Sequence, residues 1–290
     1  MNKIAFTPET VSSFSQAYPE TPNKLRHDLC DHPLLQLPAL VDLATRLRSD
    51  HVEHNQGDLP IGIAPEDVPT PALDVAETIR SIEESGSWMA LKFIENVPEY
   101  HDLLIETLAA IEPAVRGKTG AMNKLEGFIF VSSPGAVTPF HFDPEHNILL
   151  QIRGNKVLTL FPADDENIVA PQNHEAFAYG EHHRNLEWRD EVSALGNPMS
   201  LSPGDALYVP VKMPHWVKNG SEVAISLSVT WRSEWSVAES DARALNALIR
   251  KVGISPTTPG RWPASNAGKS LAFRALRKAG VTKLARSLLN

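Results

Sequence analysis

Five short runs between residues 125 and 235 constrain this chain more than any other feature. They are GFIFVSS (127–133), NILLQIR (147–153), KVLTLF (156–161), DALYVPV (205–211) and VAISLSVTW (223–231). Each is rich in Val, Ile, Leu and Phe and is bounded by Gly, Pro or Asn. Such side chains suit a pleated, half-buried surface, and the bounding residues suit turns. Strands that follow one another without intervening helices pair antiparallel, so this stretch is expected to form a sandwich or barrel.

On either side the pattern is helical. LPALVDLATRLRSD (37–50) sets Leu40, Val41, Leu43, Ala44 and Leu47 on one stripe, and 99–112 does the same with Leu103, Leu104, Leu108 and Ile111. Between them, WMALKFIEN (88–96) can be a strand, and 51–75 is rich in loop-forming Pro, Gly, Asp and Asn. After Trp235 come VAESDARALNALIRKVG, a break at TTPGRWP, and KSLAFRALRKAGVTKLARSLL. The expected class is mainly β with flanking helices. Residues 1–120 are read as a helical layer on the barrel, 121–236 as the barrel with an insertion loop at 163–198, and 237–290 as basic helices.

A hydrophobic fraction of 42% against 21% charged is enough for a real core. No apolar run approaches the roughly 18–20 residues that cross a bilayer, so no membrane partner is expected. The start, MNKIAFTPETVSSFSQ, lacks the basic-then-apolar layout of a signal peptide. The single cysteine, Cys30, excludes an intrachain disulfide and a cysteine-based metal motif, and a cytoplasmic location is expected.

The net charge of −8 conceals an asymmetry: residues 1–241 carry 17 basic against 35 acidic side chains, whereas ten basic and no acidic ones follow Asp241. A basic tail docked on the acidic body, or on a twin subunit, is the plain reading. A contact for an acidic partner is the sharper one, with nucleic acid the weaker option because no binding motif accompanies the charge.

The run TPFHFDPEHN (138–147) carries the chemistry. Residues i and i+2 of a strand point to one side, so His141 and Asp143 can aim at one point while Phe142 faces away. A second histidine, His215, follows a strand and a proline turn in YVPVKMPHW. Two imidazoles and one carboxylate leave three positions open on an octahedral ion, the set associated with non-haem iron(II). Lys156, fifteen residues after His141, is either a buried cation for a dicarboxylate or an exposed edge-strand lysine.

The run GAVTPFHFDPEHNILLQIRGNKVLTLFP (135–162) resembles the core of the JmjC/cupin-like 2-oxoglutarate oxygenases, in particular the factor-inhibiting-HIF type of asparaginyl hydroxylase. LSPGDALYVPVKMPHWVKN (201–219) is similar to the segment that delivers that family's distal histidine. The resemblance covers roughly residues 125–235 and implies a double-stranded β-helix of the jelly-roll, cupin type. It implies iron(II) on His141, Asp143 and His215, with 2-oxoglutarate and O2 as cosubstrates. It further implies that Thr138 and Lys156 hold the distal carboxylate of 2-oxoglutarate, with Asn147 and Phe130 lining the same pocket. Two departures stand out: Thr230 (or Ser228) replaces an asparagine in the last barrel strand, and WMALKF offers no tyrosine for the cosubstrate.

The expected activity is hydroxylation of a protein side chain, with a small metabolite substrate or a non-catalytic metal-binding module as alternatives. Relatives dimerise through helices after the barrel, and Leu271, Phe273, Ala275, Leu276, Val281, Leu284, Ala285 and Leu288 form an apolar stripe for a homodimer here. His146 is read as a second layer or surface residue, and His174, His182 and His183 as part of a solvated loop or lid. Trp216 and Trp231 are read as packing residues, Lys212 and Lys218 as solvated, and His27, His32 and His51 as packing or surface.

Overall fold

The structure, a computed structural model, describes residues 5–56, 60–63, 75–180 and 186–281. In chain order the elements are α1 (Pro8–Ala17), β1 (Asn23–Arg26), α2 (Leu37–Arg46), β2 (Val52–Gln56), α3 (Val75–Arg80), β3 (Ser87–Lys92), α4 (Pro98–Ala109) and α5 (Glu112–Thr119). The strands β4 (Met122–Ser132), β5 (Val137–His141), β6 (His146–Arg153) and β7 (Lys156–Leu160) follow, then α6 (Pro171–Tyr179). The chain continues through β8 (Asn197–Leu201), β9 (Asp205–Val209), β10 (His215–Asn219), β11 (Ala224–Ser233), α7 (Glu234–Lys251) and α8 (Ala267–Lys278).

Two antiparallel sheets form the centre. One has seven strands in the order β1-β9-β6-β11-β4-β3-β2, the other four in the order β5-β10-β7-β8. This is the mainly β, helix-flanked architecture expected from the strand runs. The first 120 residues are not only a helical layer, because β1, β2 and β3 extend the large sheet at its two ends. Of these only β3 carries the apolar signature that marks a buried strand; NKLR and VEHNQ are short, polar strands at the sheet's edges.

Alternation along the large sheet decides what each face does. In β11, Ile225, Leu227, Val229 and Trp231 point one way, into a core that includes Phe14 of α1, Leu40 and Leu43 of α2, Leu103 and Leu104 of α4, and Val115 of α5. Ser228, Thr230 and Arg232 point the other way, into a cavity between the sheets. The closed part between the sheets is apolar, with Leu149, Leu207 and Val209 meeting Leu158, Leu160, Leu201 and Val217.

His146 belongs to the helix-side face. It is fully buried, stacks on Trp231 at 5.4 Å, and hydrogen-bonds the Tyr208 hydroxyl (2.9 Å) and Ser233 Oγ (3.0 Å). Burial pulls its pKa down to about 3, so it is a neutral packing residue rather than a surface one.

The segment 163–198 is not a plain loop. It carries α6, capped by the left-handed Gly180 (φ 85), which packs Tyr179 against Ala244, Ala247 and Phe273. His174 is buried there, not solvated; His182 and His183 lie outside the described residues. Of the C-terminal charges, Arg250 docks on Glu175 and Arg261 on Glu20, while Arg243 pairs with Glu239 within α7 and Arg274 of α8 with Asp241 of α7. Within the apolar stripe of the last helices, Phe273 is buried against α7, while Leu271 is 67% exposed. Leu284, Ala285 and Leu288 lie outside the described residues. No helix among the described residues is long and apolar enough to cross a membrane.

The turn that sets Lys156 at the head of β7 depends on Gly154. Its φ is +67, and an added Cβ would sit 2.4 Å from the Val223 carbonyl oxygen. Gly154→Ala is therefore expected to cost about 2 kcal/mol or more. The check is the urea midpoint, and an unchanged midpoint would refute this account of the turn.

Candidate metal centre and its pocket

β5 ends at His141, directly opposite His215 at the start of β10, and the two rings lie 4.2 Å apart. Asp143 follows two residues later, past the end of the strand. Its Oδ2 is 3.9 Å from His141 Nε2 and 3.8 Å from His215 Nε2. These distances are too long for hydrogen bonds, yet one ion with bonds of about 2.1 Å spans them. Among the described residues this is the group whose donor atoms, all within 4.8 Å of one another, can hold a metal.

Both rings are oriented from behind. His141 Nδ1 lies 2.7 Å from the Pro139 carbonyl and His215 Nδ1 lies 2.9 Å from the Met213 carbonyl. An N–H at each Nδ1 donates to that carbonyl and leaves Nε2 as a lone-pair donor toward Asp143. That is the usual backing of an imidazole ligand. Phe142 faces away as strand alternation requires and is buried against His174 and Phe177.

The three donors open into a cavity of about 590 Å³ lined from both sheets. Phe130, Thr138, Asn147, Lys156 and Thr230 are among its lining residues. Lys156 is 5% exposed, on a strand flanked by β10 and β8 rather than at an edge. No hydrogen bond or ion pair to a described residue offsets its charge, and burial lowers its pKa from 10.5 to about 7. A lone cation at a cavity's inner wall is costly unless an anion joins it.

The last barrel strand finishes the pocket with two hydroxyls rather than an amide. Ser228 and Thr230 are both buried and both line the cavity. Ser228 Oγ donates to Asn147 Oδ1 (2.8 Å), and Asn147 also lines the cavity. Thr230 Oγ1 donates to the Glu126 carbonyl at 3.2 Å. In place of a tyrosine, Trp88 of β3 lines the wall and stacks on Phe130 at 5.9 Å.

Several lining residues carry no signal in the motif. Three ion pairs ring the outer part: Lys92 with Glu53 (2.8 Å), Lys124 with Glu126 (3.2 Å) and Arg232 with Glu145 (2.7 Å). Burial raises the Glu145 pKa against the pull of Arg232. Phe93, Phe128 and Phe177 add aromatic surface. Glu126, Phe128 and Phe130, like Ser228, Thr230 and Arg232, follow from two-residue alternation once the strands are known; Phe177, on α6, does not. Lys212 is also not solvated: it is 1% exposed and pairs with Glu239, while Lys218 is exposed.

Residues 83–236, just over half of the chain, match the family described as a cupin-like domain. The chain belongs to that family. Of curated proteins, it is 27% identical over 150 residues to "JmjC domain-containing protein D" of Dictyostelium discoideum (48% of this chain, 34% of that protein). It is 32% identical over 107 residues to "Lysine-specific demethylase JMJ30" of Arabidopsis thaliana (34% of this chain, 24% of that protein). The matched part thus spans about a third or less of these relatives' length. Among solved structures, ycfD of E. coli shares the fold, with a TM-score of 0.52 at 16% identity, covering 95% of this chain and 68% of that one. In this cupin-like domain the His-Asp-His group and Lys156 occupy the same cavity between the two sheets.

Lys156 makes an electrostatic prediction. Between about pH 7 and 10.5 the unfolded chain holds a proton that the folded one has released, so stability rises with pH in that window. Lys156→Met removes this rise and makes the unliganded protein more stable at pH 7 by about 1 kcal/mol or more. Urea melts of both proteins at pH 6.5, 8 and 9.5 measure it. A variant less stable than wild type at every pH would show that Lys156 is not an isolated buried cation.

Proposed function

We propose that this protein is an iron(II)- and 2-oxoglutarate-dependent oxygenase that oxidises a protein side chain. The observation that carries the reading is the pairing, in one cavity, of a two-histidine, one-carboxylate set with a buried lysine that no carboxylate among the described residues pairs with. The donor set fits iron(II): nitrogen and carboxylate oxygen without thiolate, and among the described residues too few ligands to close a structural zinc site. When bound, the metal supplies activation of O2 and the oxidative decarboxylation of 2-oxoglutarate to succinate and CO2, coupled to oxidation of a substrate C–H bond.

The chain's own residues bind, orient and exclude water. His141, Asp143 and His215 hold the metal, with the Pro139 and Met213 carbonyls fixing the imidazoles. Lys156 binds the far carboxylate of 2-oxoglutarate as a charge-assisted partner, with the Thr138 hydroxyl beside it. The Asn147 amide, set by Ser228, adds a donor on the opposite sheet. Leu149, Leu158, Val209 and Val217 keep the inner cavity dry, which strengthens the Lys156 contact.

A protein substrate is supported by the outer cavity. Its ring of paired charges and phenylalanines offers polar and aromatic contacts to a polypeptide, whereas an apolar metabolite would leave the ion pairs desolvated. The Arabidopsis relative, by name a lysine-specific demethylase, also supports an oxygenase acting on polypeptide. Demethylation and hydroxylation share the hydrogen-abstraction chemistry, so both remain within this reading.

With iron(II), 2-oxoglutarate and air, the wild-type protein is expected to form succinate. His141→Ala or Asp143→Ala is expected to lower that rate by at least about 10³-fold, since each removes a ligand. Isotope-resolved mass spectrometry of succinate, and of peptides from an extract treated with active or His141→Ala protein, measures both outcomes. Normal turnover by either variant would refute the assignment.

A further inference from the structure

Three non-glycine residues among those described have a left-handed backbone: Phe93 (φ 55), Lys124 (φ 52) and Lys212 (φ 59). The first two line the cavity; the third touches the triad from behind. Side chains with a Cβ disfavour this conformation, and it persists only where the surroundings impose it. At Lys212 a second cost coincides. Its side chain is 2% exposed, and its ammonium meets the carboxylate of Glu239, itself 3% exposed and shared with Arg243. A buried ion pair of this kind is commonly no more stabilising than well-packed apolar residues of similar volume.

What both costs accomplish is local. Asp143 lies beyond the end of β5, and its carbonyl accepts the Lys212 backbone N–H at 2.7 Å. The left-handed φ at Lys212 sets the direction of that N–H. The ammonium, anchored on Glu239 of α7, fixes where the side chain must run and so holds the φ. The neighbouring positions of the 210–214 connection are tied as well. Arg261, paired with Glu20, donates to the Val211 carbonyl (3.3 and 3.2 Å), Met213's carbonyl orients His215, and Phe161 N–H donates to the Pro214 carbonyl (2.9 Å). The connection between β9 and β10 is therefore braced by the C-terminal region on one side and grips two members of the triad on the other.

We infer that Lys212 is a positioning residue for the Asp143 carboxylate, locked by Glu239 and Arg243 so that helix α7 sets the geometry of the triad. The inference rests on the reading of His141, Asp143 and His215 as metal ligands. A pair that merely fastened α7 to the barrel would have no effect on the metal once stability was restored.

Two variants separate these roles. Lys212→Met deletes the Lys212–Glu239 pair and leaves Glu239 to Arg243 alone. The triple variant Lys212→Met, Glu239→Leu, Arg243→Met removes every charge of the cluster and keeps its volume. Stability is read from urea midpoints, and the metal site from cobalt(II) calorimetry and the visible cobalt(II) spectrum, without turnover. Positioning predicts that the triple variant regains wild-type stability yet binds cobalt(II) at least tenfold more weakly, with an altered spectrum. The same loss in Lys212→Met, if that variant folds, supports it further. A triple variant that binds cobalt(II) with wild-type affinity and spectrum overturns the positioning role while leaving the metal site intact. A wild-type protein that binds no cobalt(II), or a His141→Ala variant that binds it equally well, overturns the metal reading and this inference together.

Discussion

The large sheet has a helical layer on one face and a cavity on the other, and the two-residue alternation through the middle of β4, β6 and β11 is what allows it. Ile129, Val131, Ile148, Leu150, Leu227, Val229 and Trp231 all turn to the helices and form the main core. Fully burying an aliphatic or aromatic side chain of this kind contributes roughly 1.5–3 kcal/mol, so this face holds the sheet in register. With register fixed, the intervening residues turn to the opposite face, where several of them line the cavity. Phe130, Asn147, Ser228, Thr230 and Arg232 thus reach the site without contributing to the main core, and a slip of one residue would exchange the two sets.

Charge in the cavity follows the same economy of position. Outer charges come in opposite pairs, so the mouth is polar without a strong field of either sign. No carboxylate among the described residues pairs with the inner lysine, and burial lowers its pKa. A dicarboxylate would reverse the situation, because it would bring the anion that makes a buried ammonium favourable. Lys212 shows the contrasting solution. Its charge is equally buried but permanently paired, and it serves geometry rather than binding.

Much of this was legible in the residues themselves. The strand runs point to paired antiparallel sheets, and the i, i+2 placement puts His141 and Asp143 on one side; that His215 joins them follows from the family resemblance. Lys156 stayed ambiguous because its burial depends on β7 lying between β10 and β8, a fact of topology that spacing does not contain. Lys212 was misread since its partner is 27 residues away on α7 and nothing in a proline-rich turn announces a buried ion pair. Helix α6 was missed because PQNHEAFAY has no apolar stripe; its packing surface is supplied by alanines of α7. On the last barrel strand Ser228 and Thr230 both line the cavity, and Ser228 donates to Asn147, a cross-strand contact that spacing alone does not contain.

The central claim is that one cavity joins an iron(II) ligand set to a 2-oxoglutarate anchor. Its most direct test is an anaerobic titration of the protein with iron(II) and 2-oxoglutarate, followed by visible absorption. The account predicts a charge-transfer band that saturates at one equivalent of metal, vanishes in His215→Ala, and requires far more 2-oxoglutarate in Lys156→Met. No band in the wild-type protein, or a band undiminished in His215→Ala, would contradict it.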